Sequence, residues 1–181
     1  MAEFKAYAQR VQVNGETVLS VVDGLGVFKE QALTILKENG ISDPQPGMWY
    51  SQQAWLDSFK YIAQSMGGSS LYTIGEKIPA NAKFPPDIDS LGKALMAIDV
   101  AYHMNHRGGE IGHYTMKRTG DRSVIMVCDN PYPCDFDRGL ISAFTRRFKP
   151  KGFSHFSTVS HDDSKPCRKK GANSCTYTII W

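Results

Sequence analysis

Residues 167–179 read Cys-Arg-Lys-Lys-Gly-Ala-Asn-Ser-Cys-Thr-Tyr-Thr-Ile, and this stretch decides the fold assignment. Two cysteines, Cys167 and Cys175, bracket a polar loop in which Gly171 stands where the backbone must turn sharply. Thiolates at the two ends of a turn can share one tetrahedral ion at ~2.3 Å, and neighbouring basic residues favour the thiolate form. The β-branched and aromatic residues that follow are typical of a strand. The stretch therefore predicts a metal-binding loop that leads into a strand at 174–180.

Two further ligands are needed, because zinc in proteins takes about four. Cys134 is the first candidate, since it stands where a helix is predicted to begin. The fourth ligand could be His161, Asp162 or Asp163, just before Cys167. The spacing differs from that of a zinc finger, so buried cysteines that pack as small apolar residues remain the alternative. Cys128, which ends the apolar run 124–127, is predicted to pack in this way.

The first half of the chain is predicted to be a hairpin followed by helices. Asn14-Gly15 is typical of a two-residue turn, which predicts strands at 4–13 and 16–22. Apolar residues at the helical period predict helices at 27–39, 51–66 and about 87–105, the last capped by Asp87 or Asp89. Three prolines make 71–86 an expected irregular segment.

The second half shows a different period. Alternating apolar residues predict a hairpin of 111–117 with 123–128. A helix follows from Cys134 or Asp135 to about Phe148, and the last strands are expected at 153–160 and 174–180. These elements predict an α+β fold in which an antiparallel sheet packs with a helical layer. No linker or repeat interrupts the pattern, so residues 1–181 are expected to form a single domain.

Composition narrows the function class. Of the 181 residues 41% are hydrophobic and 22% charged, and the net charge of +3 does not imply a nucleic-acid partner. The densest basic cluster is predicted to be a solvated loop, and its members are Lys165, Arg168, Lys169 and Lys170. The first five residues lack the pattern of a secretory signal, and no apolar stretch reaches ~18 residues. We therefore expect a cytoplasmic protein without a membrane segment.

Histidines and aromatic residues indicate where a small ligand could bind. His103 and His106 lie where the third helix is expected to end, and imidazoles there can contact a polar ligand or simply complement the helix dipole. Aromatics at helical spacing more often pack in a core than line a pocket. The candidate pocket aromatics are Trp49, Trp55, Tyr72 and Phe84. No Walker, Rossmann or nucleophile motif is present, which favours a binding module over an enzyme.

The closing stretch, with the order of elements before it, resembles the 4-vinyl-reductase-like domain family. The resemblance covers chiefly residues 111–181. That family includes bacterial sensor domains of aromatic-catabolism activators, and its fold resembles the haem–nitric-oxide-binding domains. In the aromatic sensors two loop cysteines, an earlier cysteine and an acidic residue hold zinc, which implies roles for Cys167, Cys175 and Cys134. Ser164 stands where the family places its acidic ligand, so His161, Asp162 or Asp163 would have to replace it.

Three functional hypotheses follow from the residues and the resemblance. The first is a regulatory module that binds a hydrophobic or aromatic molecule, carries a structural zinc and signals to a separate partner, as a homodimer. The second is a haem-binding gas or redox sensor with an axial histidine. The third is an enzyme or accessory protein that acts on a tetrapyrrole, as the name of the family implies.

Overall fold

The computed structural model has an α+β fold and describes residues 3–148 and 157–181. The helices within these ranges are α1 (Gly15–Leu25), α2 (Lys29–Glu38), α3 (Gln52–Met66), α4 (Gly68–Asn81), α5 (Leu91–Met104) and α6 (Cys134–Phe148). The strands are β1 (Gln12–Asn14), β2 (Trp49–Ser51), β3 (His106–Arg107), β4 (His113–Gly120), β5 (Ser123–Asp129), β6 (Thr158–His161) and β7 (Ser174–Ile180). Short 3₁₀ turns lie at Gly26–Phe28 and Arg168–Lys170.

Two antiparallel sheets flank the helices. The smaller has the order β2-β1-β3 and the larger the order β4-β5-β7-β6. Along β5 the side chains of Val124, Met126 and Cys128 are buried, whereas their neighbours are less so. This period of two gives the larger sheet one apolar face, which packs on the helical layer. The predicted class, an antiparallel sheet packed with helices, is confirmed.

Helices α4 and α6 pack unusually closely because glycine stands at their contact. A Cβ atom on Gly75 would lie 2.2 Å from the main-chain oxygen of Phe136, and one on Gly139 would lie 2.0 Å from that of Tyr72. Only residues without a side chain allow the two backbones to approach this far. The close contact fixes the position of α6, which carries functional residues on its first turn.

The predicted N-terminal hairpin is wrong, because the second half of it is helix α1. Asn14 does not turn the chain; its side-chain oxygen accepts a hydrogen bond from the Thr17 main-chain N–H (3.1 Å) and caps the helix. The buried residues of α1 include Val18, Val21 and Val22, which have helical spacing. Asparagine favours both tight turns and helix caps, and the apolar spacing after it decides between them.

The predicted irregular segment 71–86 is also wrong over most of its length. Residues Gly68–Asn81 form α4, and Pro79 lies in its last turn. A proline that close to the C-terminal end removes one helical hydrogen bond without breaking the preceding turns. Only the stretch after Asn81, with Pro85 and Pro86, is irregular up to α5.

The remaining predicted elements agree with the structure apart from their ends, whereas the short strands β2 and β3 are not predicted from the sequence. Helix α3 begins after Ser51, and α5 is capped by Ser90 rather than by Asp87 or Asp89. The helix predicted at 27–39 begins at Lys29, after the 3₁₀ turn. The strand predicted at 153–160 lies partly outside the described residues, and its described part belongs to β6. Among the described residues no helix is both long and apolar enough to cross a membrane.

Candidate functional site

Three cysteines and a histidine meet beside the N-terminus of α6. Cys134 begins α6, His161 ends β6, and Cys167 and Cys175 stand on either side of the 3₁₀ turn that precedes β7. One donor atom from each of the four side chains lies within 4.8 Å of the other three. All three cysteines are buried and unpaired by disulfides. Together the four residues form the cysteine–histidine cluster.

Hydrogen bonds between distant segments hold this cluster in place. The Cys134 main-chain N–H donates to a carboxylate oxygen of Glu3 (2.9 Å), so the N-terminal segment caps α6. The Tyr177 hydroxyl donates to the main-chain oxygen of Cys134 (2.7 Å), and His161 lies opposite Tyr177 in the β6–β7 ladder. Gly171 closes the loop between the cysteines with φ of 91°. The residues are therefore fixed by the fold.

The sulfur–sulfur distances suit a shared metal ion. Cys134 Sγ lies 3.6 Å from Cys167 Sγ, which lies 3.9 Å from Cys175 Sγ. Two thiolates on one tetrahedral ion at ~2.3 Å are about 3.8 Å apart. The Cys134–Cys175 distance of 2.9 Å is shorter, and either of these two sulfurs can donate to the other. A bound ion would replace the proton between these two sulfurs and increase the distance between them by about 1 Å.

His161 presents a free acceptor to the cysteines. Its Nδ1 lies 2.8 Å from a carboxylate oxygen of Asp163, and in the neutral tautomer that donates this hydrogen bond Nε2 is an acceptor. Nε2 is buried and has no hydrogen-bond partner among the described residues. Metal-binding histidines are oriented by carboxylates in the same way. Of the three candidates for the fourth ligand only His161 belongs to the cluster, whereas Asp162 accepts hydrogen bonds from Ser164.

The charges around the cluster favour a thiolate at Cys175. The hydrogen bond from Cys134 lowers the pKa of the Cys175 thiol, and the Arg168 guanidinium lowers it further. The same hydrogen bond, together with burial, raises the pKa of Cys134. The Arg168 main-chain N–H also donates to Cys175 Sγ (3.4 Å). One negative charge is thus stabilised by the protein itself.

Arg168 is buried, so the prediction of a solvated basic loop is wrong for this residue. Its guanidinium forms an ion pair with Asp137 of α6, and both side chains are fully buried. It also donates to the main-chain oxygens of Cys128 (3.2 Å) and Asn130 (2.7 Å). The neighbouring lysines are exposed as predicted. The ion pair attaches the loop of Cys167 and Cys175 to the helix that carries Cys134.

A second feature is a cavity of about 40 Å³ between the helices and β4. Its walls are mainly apolar and aromatic, and they are formed by Thr17, Trp55, Ile78, Ala82, Phe84, Ile98, Ala101, Tyr102, Asn105, His106, Tyr114, Tyr132, Phe136 and Leu140. Trp55 is completely buried, and its indole N–H has no hydrogen-bond partner within residues 3–148 and 157–181. An unpaired buried donor costs about 1–3 kcal/mol. A molecule in the cavity that accepted this hydrogen bond would recover that cost.

His106 is a neutral hydrogen-bond acceptor in the wall of this cavity. Its Nδ1–H donates to the main-chain oxygen of Tyr102 (2.7 Å), and its Nε2 accepts from the Tyr132 hydroxyl (2.6 Å). Gln52 in turn donates to the Tyr132 hydroxyl (3.0 Å). Burial lowers the pKa of His106 to about 4. The imidazole is therefore uncharged at neutral pH.

The stability of the fold should fall as His106 is forced to accept a proton. The pKa of His106 is about 4 when folded and about 6.5 when unfolded, so the unfolded state binds the extra proton between these values. The free energy of unfolding is therefore unaffected by His106 above pH 6.5. It decreases as the pH falls towards 4, by about 3 kcal/mol in total. Urea unfolding at pH 7 and pH 4.5 measures this loss. His106→Gln removes the titration, and an equal loss in that variant would contradict the assignment.

The structure brings together some of the predicted ligand-binding residues but not all. Trp55, Phe84 and His106 line the cavity. Tyr72 does not line the cavity; it is half-buried beside α6, where the Arg138 guanidinium lies 5.2 Å from the centre of its ring. His103 does not line the cavity and contacts Asp99 instead.

Besides Tyr102 and Phe136, two aromatic cavity residues are not predicted as ligand contacts from the sequence. Tyr114 lies on β4, and Tyr132 lies in the turn before α6. The one available signal is the position of Tyr132 between two prolines, where a rigid turn holds the side chain inward.

Comparisons with known proteins identify the fold. No family model and no curated protein matches the chain, so its likeness to the 4-vinyl-reductase-like family rests on the residues quoted above. Solved structures do match. An H-NOX protein from S. oneidensis in the Fe(II)NO ligation state has 14% sequence identity and a TM-score of 0.64, over 92% of this chain and 97% of that one.

Two further H-NOX structures agree with this match. A mutant of T. tengcongensis H-NOX is 16% identical with a TM-score of 0.64, over 92% of this chain and 96% of that one. A double mutant of Tt H-NOX is 15% identical with a TM-score of 0.65, over 93% of this chain and 94% of that one. At such low identity the likeness concerns the fold alone. The chain has the haem–nitric-oxide-binding (H-NOX) fold.

Proposed function

We propose that this chain is a small-ligand-binding sensor domain whose ligand occupies the cavity beside Trp55. The observation that carries the proposal is the buried indole N–H of Trp55, which lines a mainly apolar space and has no hydrogen-bond partner in the part of the chain that the structure describes. Binding sites for small molecules are mostly apolar with a few polar groups that fix orientation. The ligand we propose is a small, largely apolar molecule with one hydrogen-bond acceptor for Trp55.

Phe84 separates the cavity from the surface, and such a ligand would enter past its ring. It lies on the irregular segment between α4 and α5 and is only half-buried. On its inner side is the cavity of about 40 Å³, and on its outer side a groove of about 240 Å³ that also contacts Phe144 and Phe148. A cavity that holds benzene measures about 150 Å³. An aromatic ligand therefore requires Phe84 to turn outward, so that the two spaces join.

Phenol is a suitable probe for this site, and its binding should depend on Trp55. Titration of phenol should shift the indole N–H resonance of Trp55 in a nuclear magnetic resonance spectrum. Trp55→Phe keeps an aromatic ring but removes the donor, and we expect about tenfold weaker binding, the effect of about 1.4 kcal/mol.

The matched control for that experiment is Trp49→Phe. Trp49 lies on β2, where Arg107 stacks over its ring, and it does not line the cavity. Phenol affinity should be unchanged in this variant. Equal losses in the two tryptophan variants, or a phenol-induced shift at Trp49 alone, would contradict the proposed site.

We further propose that the cysteine–histidine cluster holds one structural zinc ion. Cys134, Cys167, Cys175 and His161 would be its ligands, with Asp163 orienting the histidine. Three thiolates and one imidazole are a set that structural zinc sites use. The support is the spacing of the sulfurs, the buried Nε2 of His161 without a partner, and the stabilised thiolate at Cys175. Such an ion would connect α6, β6 and β7.

A haem-binding gas sensor is the second candidate, and the structural neighbours favour it. Those neighbours include an Fe(II)NO state and a structure concerned with haem distortion in the H-NOX family. The residues of this chain do not fit a haem as they are packed. A haem is several times the size of benzene, which already needs a cavity of about 150 Å³, whereas this cavity measures about 40 Å³, and both nitrogens of His106 are hydrogen-bonded. The same lack of space weighs against a tetrapyrrole substrate.

Elemental analysis and a visible spectrum of the purified protein separate these candidates. About one zinc ion per chain and no Soret band would support the structural zinc and a haem-free cavity. A Soret band with stoichiometric iron would overturn the proposed cavity ligand and favour the haem sensor. A colourless protein without zinc would refute the metal proposal and leave the cavity proposal to the phenol titration. The separate signalling partner, the homodimer and the cytoplasmic location remain predictions from the sequence.

A further inference from the structure

A second group of metal-binding side chains lies on the outer side of α5. Asp99 and His103 are one turn apart on this helix, and His113 begins β4 beside them. One donor atom from each of the three lies within 4.8 Å of the other two. All three are accessible, with side-chain exposures of 32%, 42% and 60% respectively. None of these three residues lines the cavity or belongs to the cysteine–histidine cluster.

Main-chain groups orient these side chains. The Tyr114 main-chain N–H donates to Asp99 Oδ1 (2.8 Å), which fixes the carboxylate. His103 Nδ1 lies 2.9 Å from the main-chain oxygen of Asp99, and in the tautomer that donates this hydrogen bond Nε2 is an unprotonated acceptor. The imidazole rings of His103 and His113 have centroids 5.0 Å apart and are tilted by 32°. Three donors are thus held on two elements of fixed position.

The separation of Asp99 and His113 is that of two ligands on one ion, and a ligand atom of His103 lies within 4.8 Å of both. His113 Nδ1 lies 3.4 Å from each carboxylate oxygen of Asp99, too far for a strong hydrogen bond. Two ligand atoms on a tetrahedral ion at ~2.1 Å are about 3.4 Å apart. The C-terminal turn of a helix also favours positive charge, because the helix dipole is negative there.

We propose that Asp99, His103 and His113 bind a divalent transition-metal ion such as Zn²⁺, Ni²⁺ or Co²⁺ at the surface. Two imidazoles and one carboxylate suit these ions, whereas Ca²⁺ and Mg²⁺ prefer oxygen ligands alone. Three protein ligands leave at least one position open to water or to a donor atom from another molecule. This site would exchange its ion readily, in contrast to the buried cluster of cysteines. It is independent of the proposed cavity ligand and of the structural zinc.

Titration of Ni²⁺ into the purified protein tests this proposal. By calorimetry we expect one Ni²⁺ ion per chain at this site. In a nuclear magnetic resonance spectrum the paramagnetic ion should broaden the amide signal of Tyr114, which neighbours two of the ligands. Amide signals around Cys134 should remain sharp. Broadening around Cys134 alone would place the ion in the cysteine–histidine cluster and overturn the proposal.

Substitutions at the ligands distinguish binding from a change of fold. Asp99→Asn keeps an oxygen that accepts the Tyr114 N–H, so the fold is retained while the charged ligand is lost. We expect Asp99→Asn and His113→Ala each to weaken Ni²⁺ binding by at least about tenfold, the loss typical even of residues that only support a ligand. Asp121→Asn, which alters an exposed carboxylate in the β4–β5 turn, is the matched control and should bind normally. Unchanged affinity in both ligand variants, or an equal loss in Asp121→Asn, would refute the site.

Discussion

Cys175→Ser should abolish the bound zinc and lower the melting temperature by about 10 °C or more. A ligand present at about a thousand times its dissociation constant stabilises a fold by about 4 kcal/mol, and in a chain of this size each kcal/mol corresponds to about 2–4 °C. Cys175 is completely buried between Cys134 and Cys167, so a serine there leaves an incomplete set of ligands. Thermal unfolding together with elemental analysis measures both effects.

Cys128→Ala is the matched control for that variant. Cys128 is also fully buried and lies directly opposite Cys175 in the β5–β7 ladder, but it is not part of the cysteine–histidine cluster. We expect this variant to keep its zinc and to lose only about 1 kcal/mol, as is usual for a small buried substitution. A chelator should destabilise the Cys128→Ala protein but have no further effect on Cys175→Ser. Equal melting temperatures and no zinc in either variant would mean that the cysteines only pack.

Arg168→Met should destabilise the protein by about 3–5 kcal/mol, because it leaves the Asp137 carboxylate buried without its partner. The ion pair has no access to solvent on either side, and Asp137 also accepts a hydrogen bond from the Tyr114 hydroxyl (2.6 Å). Urea unfolding measures the free energy. The exposed pair of Lys93 and Asp89 serves as the control, since Lys93→Met should hardly change the midpoint.

A double variant distinguishes the contribution of the ion pair to stability from the contribution of packing. In Asp137→Leu with Arg168→Met the buried pair carries no charge, and apolar replacements of buried ion pairs are often tolerated. We therefore expect the double variant to be more stable than Arg168→Met alone. A loss equal to the sum of the two single losses would show that the guanidinium and the carboxylate act independently. Zinc content should be checked in each variant, because Arg168 stands directly after Cys167.

The proposed metal ligands could be predicted from the sequence because they stand at recognisable breaks in it. Cys134 follows a Pro-Tyr-Pro turn, and Cys167 and Cys175 bracket a glycine-containing loop, so each lies at the end of an element. His161 could be named only as one of three candidates. What decides among them is the direction of each side chain, and the sequence period cannot specify this at the end of a short strand.

The cavity is harder to predict from the sequence than the metal ligands, because its walls come from many separate segments. The sequence predicts Trp55 as a candidate pocket aromatic and His106 as a possible polar contact, and both line the cavity. Tyr72 is also an aromatic residue on a helix, but its side chain lies against Arg138 and Arg146 of α6 and does not line the cavity. The prediction that Arg168 is solvated fails for a related reason. A run of basic residues indicates a solvated loop, and the sequence does not show that the buried Asp137 pairs with one of them. Long-range pairing of this kind requires the three-dimensional structure.

The hydrogen bond from Cys134 to Glu3 has a practical consequence for work with shortened forms of the protein. Residues near the N-terminus cap the helix that carries a proposed zinc ligand, although 131 positions separate the two in sequence. The main-chain N–H of Phe4 also donates to the oxygen of Pro131 (2.8 Å), just before that helix. A protease that trimmed these first residues would therefore loosen a site near the far end of the chain, and the trimmed protein would resemble a metal-ligand variant.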